Sequence, residues 1–279
     1  MAFTKTAGLV DGAGLVESFG LGGSAGLFQK GVIPNILDLQ PAAAYSLRSF
    51  DADADPNVVN VRRSSDSALS DFTASEVSDG TLTSWVGAGN DGYVTTWYDQ
   101  GGTNHATQTT VASQPKIVDG GALVTDGSGN PAIIGDGVND TLFHPTLTNE
   151  LDSSDFLVTA VYKDELAMGI VGAIPRLYLT NSSMSYNTIG TVGYPTQAGR
   201  NVISFQVSGD TQEVFGNGTL IGTASETQVD IGQNMFNVLQ GGSNFSSGPL
   251  MEVVVFGKSI STADRLSFEK GINKYYNIY

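Results

Sequence analysis

Chemistry in this chain would have to come from carboxylates, because the nucleophiles and ligands of other reaction classes are missing or scattered. There are no cysteines, which removes thiolate nucleophiles and thiolate metal sites. The two histidines, His105 and His144, stand 39 residues apart without an HxH or HExxH neighbour. That spacing supports neither a zinc site nor a Ser-His-Asp triad. Among the acids, Glu252 interrupts an apolar run, Leu250–Phe256 (LMEVVVF). Desolvation there would raise its pKa toward that of a general acid. The commoner arrangement is a Glu that faces solvent or a groove, or pairs with Arg176, Arg200 or Lys258. Asp99 follows Trp97-Tyr98 at the end of a strand pattern. It could position a sugar hydroxyl or, more commonly, bond the amides of its own turn. Asp126, Asp136 and Asp140 sit in Gly-rich turns and could supply oxygen ligands to calcium; with no EF-hand spacing, Asx-turns are the simpler reading. Trp85, Tyr93, Trp97, Tyr98, Tyr178, Tyr186 and Tyr194 could line a sheet face and stack on sugar rings, or fill core and rim. The glycines near Gly20–Gly23 neither follow a strand nor precede a helix, and are no phosphate loop.

The bulk numbers narrow the partners. The formal net charge is −15, with Lys and Arg scattered, which argues against nucleic acid. No apolar run approaches the roughly 20 residues needed to span a membrane. The N-terminus lacks a continuous apolar h-region, so no signal peptide is expected. Without cysteines, the chain is expected to fold in a reducing cytoplasm, which leaves later release in a larger particle open. A hydrophobic content of 40% is enough for a substantial core, and 35 glycines imply frequent turns.

The elements that must hold these residues read as follows. Ala7-Gly8-Leu9-Val10, Ala13-Gly14-Leu15-Val16 and Ala25-Gly26-Leu27-Phe28 repeat an Ala-Gly-Leu-apolar unit. So many glycines oppose a helix, each at a cost of roughly 1 kcal/mol relative to Ala. The apolar residues between them predict an extended arm that packs against a partner, ending at Val32–Leu39. Ala42–Ser49 (AAAYSLRS) looks like a short helix. Asp51–Asp55 is an acidic loop, Val58–Arg63 a strand, and Ser70–Trp85 a loop with one helical turn. The strand Tyr93–Tyr98 runs into the turn Asp99–Gly102, with β-branched and aromatic residues suited to a pleated, half-buried surface. Asp126-Gly127, Gly129-Asn130 and Gly135–Leu142 signal turns. Phe156–Tyr162, Arg176–Thr180, Asn201–Val207 and Leu250–Phe256 read as strands. Within the third, Ile203, Phe205 and Val207 point one way and Val202, Ser204 and Gln206 the other. Asn217-Gly218 marks a hairpin. Ser261–Asp264 resembles a capping box and opens a helix to about Lys270.

Several of these segments together resemble the concanavalin A-like jelly roll of the α-L-arabinofuranosidase B catalytic domain, and related domains of phage virion proteins. They are Ala44–Arg48 (AYSLR), Val61–Ser67 (VRRSSDS), Thr96–Gln108 (TWYDQGGTNHATQ) and Gln114–Ile117 (QPKI). Gly135–Leu142 is similar to the DG-x-x-D turn of laminin-G-like sandwiches. The likeness covers about residues 41–145, and more weakly 230–279. It implies a retaining mechanism with two carboxyl groups about 5–5.5 Å apart. It also implies an acid/base Asp in a Gly-Gly-Asp-Asn turn, but the matching run is Gly241-Gly242-Ser243-Asn244, so Ser243 stands where the acid should be. The implied nucleophile is a Glu on a mid-chain strand, and neither Phe156–Tyr162 nor Arg176–Thr180 contains a carboxylate. The disulfides of the family domain are absent as well.

The expectation is an all-β, concanavalin A-like two-sheet jelly-roll sandwich over residues 41–279, with an extended N-terminal arm (1–40) and a short C-terminal helix. Functionally, the missing carboxylates, the absence of an export signal or cysteine, and an arm that needs a partner, together with the resemblance to phage domains, point to a non-enzymatic phage virion protein, a capsid decoration, fibre or tail adhesin. It would be anchored to other virion proteins through Leu9, Leu15, Phe19, Leu27 and Phe28 and assembled in the host cytoplasm. By the phage analogy it would be a homo-oligomer, a trimer for preference. Glycans, if bound, would meet Trp97, Tyr98, Asp99, Gln100, Asn104, His105, Ser243, Asn244 and Glu252. No cofactor is expected apart from the calcium option, and neither nucleic acid nor membrane is an expected partner. The alternative is a divergent arabinofuranosidase-like glycoside hydrolase using Glu252 with Asp99.

Overall fold

The computed structural model describes residues 35–279, apart from 152–154, 165–170, 174–176, 180–182, 187–189, 194–198, 226–234 and 242–243. The arm residues Leu9, Leu15, Phe19, Leu27 and Phe28 lie outside the described residues, as do Ser243, Arg176 and Tyr194. The description starts at a short 3-10 turn, Ile36–Leu39, capped by the Asn35 side chain, with Ile36 buried.

The strands follow in order: β1 (Ala43–Ser46), β2 (Asn57–Arg63), β3 (Leu69–Thr73), β4 (Gly92–Trp97), β5 (Ala106–Thr107), β6 (Lys116–Asp119), β7 (Ala122–Leu123), β8 (Ile133–Ile134) and β9 (Leu142–His144). The long β10 (Asp155–Asp164) precedes the short β11 (Val171–Ala173), β12 (Leu177–Leu179), β13 (Ser183–Tyr186) and β14 (Gly190–Gly193). After these come β15 (Gly199–Ser208), β16 (Thr211–Gly216), β17 (Thr219–Ser225), β18 (Phe236–Val238), β19 (Gln240–Gly241), β20 (Asn244–Phe245) and β21 (Pro249–Phe256). Helices α1 (Ala74–Ser78) and α2 (Thr81–Val86) follow β3, and α3 (Thr262–Tyr276) follows β21.

Among the described residues the pairings are antiparallel, and apart from the small β19–β20 sheet the main strands sort into two layers. One runs β1–β21–β10–β15–β16–β17. The other runs β3–β2–β4–β5–β9–β18–β11–β12–β13–β14. The bridge β4–β6–β8–β21 joins them along one edge. Val59 and Val61 of β2 and Val94 and Trp97 of β4 meet Phe156, Val158, Phe205 and Val253 in one buried cluster. This is the expected two-sheet sandwich.

Continuous apolar runs form where a strand is covered on both faces. On β10 and β21, Phe156, Val158, Val253 and Val255 face the other sheet. Their neighbours Leu157, Val161, Met251, Val254 and Phe256 join Phe268, Ile272 and Tyr276 of α3 in a second cluster. Ser261 caps α3 through the Asp264 amide, and the helix continues beyond Lys270 to Tyr276, burying Ile272 on the way. The β16–β17 hairpin turns at Asn217 and Gly218, whose φ angles of 50° and 79° are those of a type I′ turn.

Two local expectations are corrected. Ala42–Ser49 contains a strand, β1, not a helix, because all of Ala43–Ser46 is buried alongside β21; pairing outweighs the helix propensity of its alanines. Ser70–Trp85 holds strand β3 and two short helices. The sequence Thr73-Ala74-Ser75-Glu76 is a full capping box, with the Thr73 side chain accepting from the Glu76 amide and Glu76 from the Thr73 amide.

Candidate functional site

The turn after β4 is built of groups that hold one another. Asp99 is buried; its Oδ1 accepts the Ala44 and Gly101 amides at 2.8 Å each, and its Oδ2 accepts the Asn104 amide at 3.1 Å. His105 Nδ1 accepts the Asp99 amide at 3.0 Å, and its ring stands edge-on to Tyr98. The Tyr98 hydroxyl donates to Asp71, and Gln100 ties Phe50 to the carbonyls of Ser46 and Arg48. Asn104 donates to the Ala42 carbonyl and to Glu150. Trp97 is fully buried in the core. The run that carries the strongest resemblance therefore fastens β1 to β4, and its Asp99, Gln100, Asn104 and His105 side chains are already engaged.

Glu252 is equally committed. It is 1% exposed and accepts from Arg48 Nε at 2.9 Å, Ser46 Oγ at 3.1 Å and the Tyr276 hydroxyl at 3.1 Å. Its cation is Arg48, two residues beyond β1, and not the expected Arg200 or Lys258; Arg176 lies outside the described residues. Burial works against the Arg48 charge, but the facing carboxylate holds the guanidinium protonated above its ordinary range. A hydrolase using Glu252 with Asp99 would need both acids free, and neither is. Asn244 lies on the short strand β20 and is exposed.

The groups that remain available border a cleft of about 480 Å³ lined by Arg62, Ser64, Tyr93, Val111, Ala112, Gln114, Lys116, Asp136 and Asp140. β2 supplies Arg62, β4 Tyr93 and β6 Lys116. Register shifts mark bulges in both ladders here. Asn60 opposes Thr96 while Val61 opposes Val94, and Gly92 opposes Val118 while Tyr93 opposes Lys116. Bulges re-aim side chains and are common beside active sites.

The two acids come from the loop between β8 and β9. Gly135 opens it where only glycine fits, since a Cβ would lie 2.4 Å from the Ser246 carbonyl oxygen. Asp136 Oδ1 then accepts the amides of Val138 at 2.8 Å, Asn139 at 2.9 Å and Asp140 at 3.2 Å. Partial burial opposes its ionisation, but these amides outweigh it and hold its pKa below the usual carboxylate value.

Asp140 is the opposite case. It is 7% exposed, and its carboxyl meets the Asp136 amide but has no ion-pair partner among the described residues. Burial, reinforced by the Asp136 charge, pushes its pKa up to about 6, although the Asp136 amide and the Lys116 charge pull the other way. Lys116 is itself paired with Asp119 at 2.7 Å and Asp91 at 2.9 Å, so its charge is largely spent outside the two loop acids. Arg62 donates through Nε to Gln114 at 2.8 Å and lies 4.6 Å from the Tyr93 ring centroid, with no ion pair among the described residues.

Two carboxyls in one cleft, with environments that separate their pKa values, are the arrangement of an acid and its ionised companion. The sequence signal existed: Asp136 and Asp140 were candidates for calcium. Among the described residues, no group of three or more His, Cys, Asp or Glu could hold a metal ion. Asp126 instead accepts from the Ser128 and Asn130 amides and the Asn130 side chain, an Asx-turn.

No protein-family model matches the sequence, and neither does any curated protein. Solved structures do. An arabinofuranosidase complexed with arabinofuranosyl-α-1,2-xylobiose superposes with a TM-score of 0.64 at 16% identity, over 83% of this chain and 62% of that one. An α-L-arabinofuranosidase soaked with a cyclic sulfate inhibitor gives 0.58 at 13% identity, with the same coverage. The chain thus spans 62% of the length of those structures, and at these identities the likeness establishes the fold. These neighbours are glycoside hydrolases, which overturns the expectation of a non-enzymatic virion protein. The phage, capsid and tail assignments find no support among them.

Proposed function

We propose that this chain is a divergent, arabinofuranosidase-like glycoside hydrolase whose chemistry is carried by Asp140 and Asp136. The observation that supports this most is the Asp140 carboxyl, buried, without a paired cation among the described residues, and bordering the cleft with a pKa of about 6. A general acid must hold its proton at working pH and yield it to the leaving oxygen as the glycosidic bond breaks, and a pKa near that pH serves both needs. Asp136 stays ionised and stabilises the positive charge that develops at the anomeric carbon; a water molecule then adds to that carbon and gives its proton to the Asp140 carboxylate, restoring the acid. Arg62, whose Nε is held by Gln114, offers its terminal nitrogens to sugar hydroxyls at the cleft wall. The fold neighbours act in the same reaction class, and arabinofuranosides are the first substrates to test.

The experiment is turnover of nitrophenyl α-L-arabinofuranoside and a panel of other nitrophenyl glycosides as a function of pH. The rate is expected to be highest below pH about 6 and to fall about tenfold per unit above it, as Asp140 loses its proton. Asp140→Asn is expected to lower kcat by about 10²–10⁴-fold. No turnover anywhere in the panel, or full activity in Asp140→Asn, would reject the assignment.

A further inference from the structure

The cleft at Asp140 does not end there. A second hollow of about 500 Å³ adjoins it, and Arg62, Val111 and Gln114 line both. Each is of the size of a small-molecule site, about 300–1,000 Å³. We infer that the two form one groove holding a neutral oligosaccharide chain, with the scissile bond at Asp140 and further sugar units laid across β2, β4 and β5. This inference rests on the hydrolase reading of the same site and names its substrate class.

Three features of the second hollow carry it. Asn60, Thr96 and Thr107 are successive register partners on three adjacent strands, so their side chains form a row perpendicular to the strands. Strands lie about 4.8 Å apart, a step comparable to the length of one sugar ring. The hydroxyls of Thr96, Thr107 and Thr109 have no hydrogen-bond partner among the described residues, although all three line the hollow. Unsatisfied donors and acceptors spaced along a groove suit a polyhydroxylated chain. Val111, 60% exposed at the junction, offers an apolar contact to the C–H face of a sugar.

The ligand's charge follows from the lining. The second hollow contains no carboxylate and one cation, Arg62. In the first, Arg62 and Lys116 stand against Asp136 and Asp140, and Lys116 is neutralised again by Asp91 and Asp119. Such a surface has no excess positive charge for a polyanion.

The test compares kcat/KM on neutral arabino-oligosaccharides of increasing length with kcat/KM on the one-sugar nitrophenyl arabinofuranoside. Wild-type protein is expected to prefer the five-unit substrate over the two-unit one by about tenfold or more, a preference worth about 1.4 kcal/mol. Thr107→Trp, which fills the hollow, is expected to abolish that length preference. Thr107→Val, which keeps the shape and removes one hydroxyl, should reduce it about threefold to fivefold. A rate independent of length, or a length preference that survives Thr107→Trp in a protein with native circular dichroism, overturns the groove. If no substrate is turned over, the hydrolase reading fails and the groove is judged by binding alone. Retardation of the wild-type protein in native gels containing soluble arabinan, lost in Thr107→Trp, would sustain it, and no retardation would overturn it.

Discussion

At the residue scale, Asp140 is a position where the proposed function and stability pull apart. Its carboxyl has the Asp136 amide but no paired cation among the described residues to offset its burial and the Asp136 charge, so ionising it in the folded state is disfavoured. Its folded pKa of about 6 lies above the ordinary 3.8, so the folded chain holds a proton that the unfolded chain has released between those values. The contribution is favourable and complete below about 3.8, and it is lost as pH rises through about 6. Above that, the buried charge costs about 1–2 kcal/mol once solvent screening at the cleft mouth is allowed for. Asp140→Asn removes the charge and keeps the shape. It is therefore expected to raise Tm by about 2–6 °C at pH 7.5 while leaving it unchanged near pH 4. Thermal melts at the two pH values check this; equal shifts, or a loss at pH 7.5, would mean that the carboxyl is solvated. Glu252 contrasts with it. Glu252 is still more buried, yet it has a guanidinium and two hydroxyls around it, and its place is structural.

At the element scale, the β8–β9 loop decides where the two acids stand. It is pinned from below, with the Gly137 amide donating to the Ser246 carbonyl at 3.2 Å and the Ser246 amide to the Leu239 carbonyl at 2.8 Å. Gly135→Ala would push a methyl group to 2.4 Å from that Ser246 oxygen, so the loop must lift away. The expected result is a loss of about 1–3 kcal/mol in stability, as overpacking gives, together with a tenfold or larger fall in kcat/KM. Denaturant melts and nitrophenyl glycoside kinetics on one preparation check it. A variant that lost stability but kept full kcat/KM would detach the loop from the chemistry. This loop was only half legible beforehand. The Gly and Asp residues announced a turn, and an Asx-turn it is at Asp136, but the contact with Ser246 joins residues more than a hundred apart and leaves no local trace. The same holds for β1. Ala42–Ser49 has the composition of a helix, and only its pairing with β21 makes it a strand.

At the scale of the whole molecule, the sandwich was readable because its long strands carry their own signal. β10, β15 and β21 are β-branched and apolar in a way that neither a loop nor an amphipathic helix would be. The cleft was not readable. Arg62, Tyr93, Lys116 and Asp140 come from four separate segments, and only the order β2–β4–β6, with its two bulges, brings them together. Glu252 and the Asp99 turn drew attention for their local patterns, and those patterns serve the scaffold.

The net charge of −15 acts at this largest scale, because its field reaches the mouth of the cleft, whose own cations are offset by acids. Polyanionic glycans should therefore be repelled before they dock. Raising ionic strength from about 10 mM to about 0.1 M shortens the screening length from about 30 Å to about 10 Å. Affinity for neutral arabinan is expected to be indifferent to that change. Polygalacturonate should bind negligibly at low salt and no better than weakly at high salt. Calorimetric titration with both polymers at both salt concentrations checks it. Tight polygalacturonate binding that weakened as salt rose would mean that Arg62 and Lys116 dominate the local field, and that the acids around them leave the cleft positive.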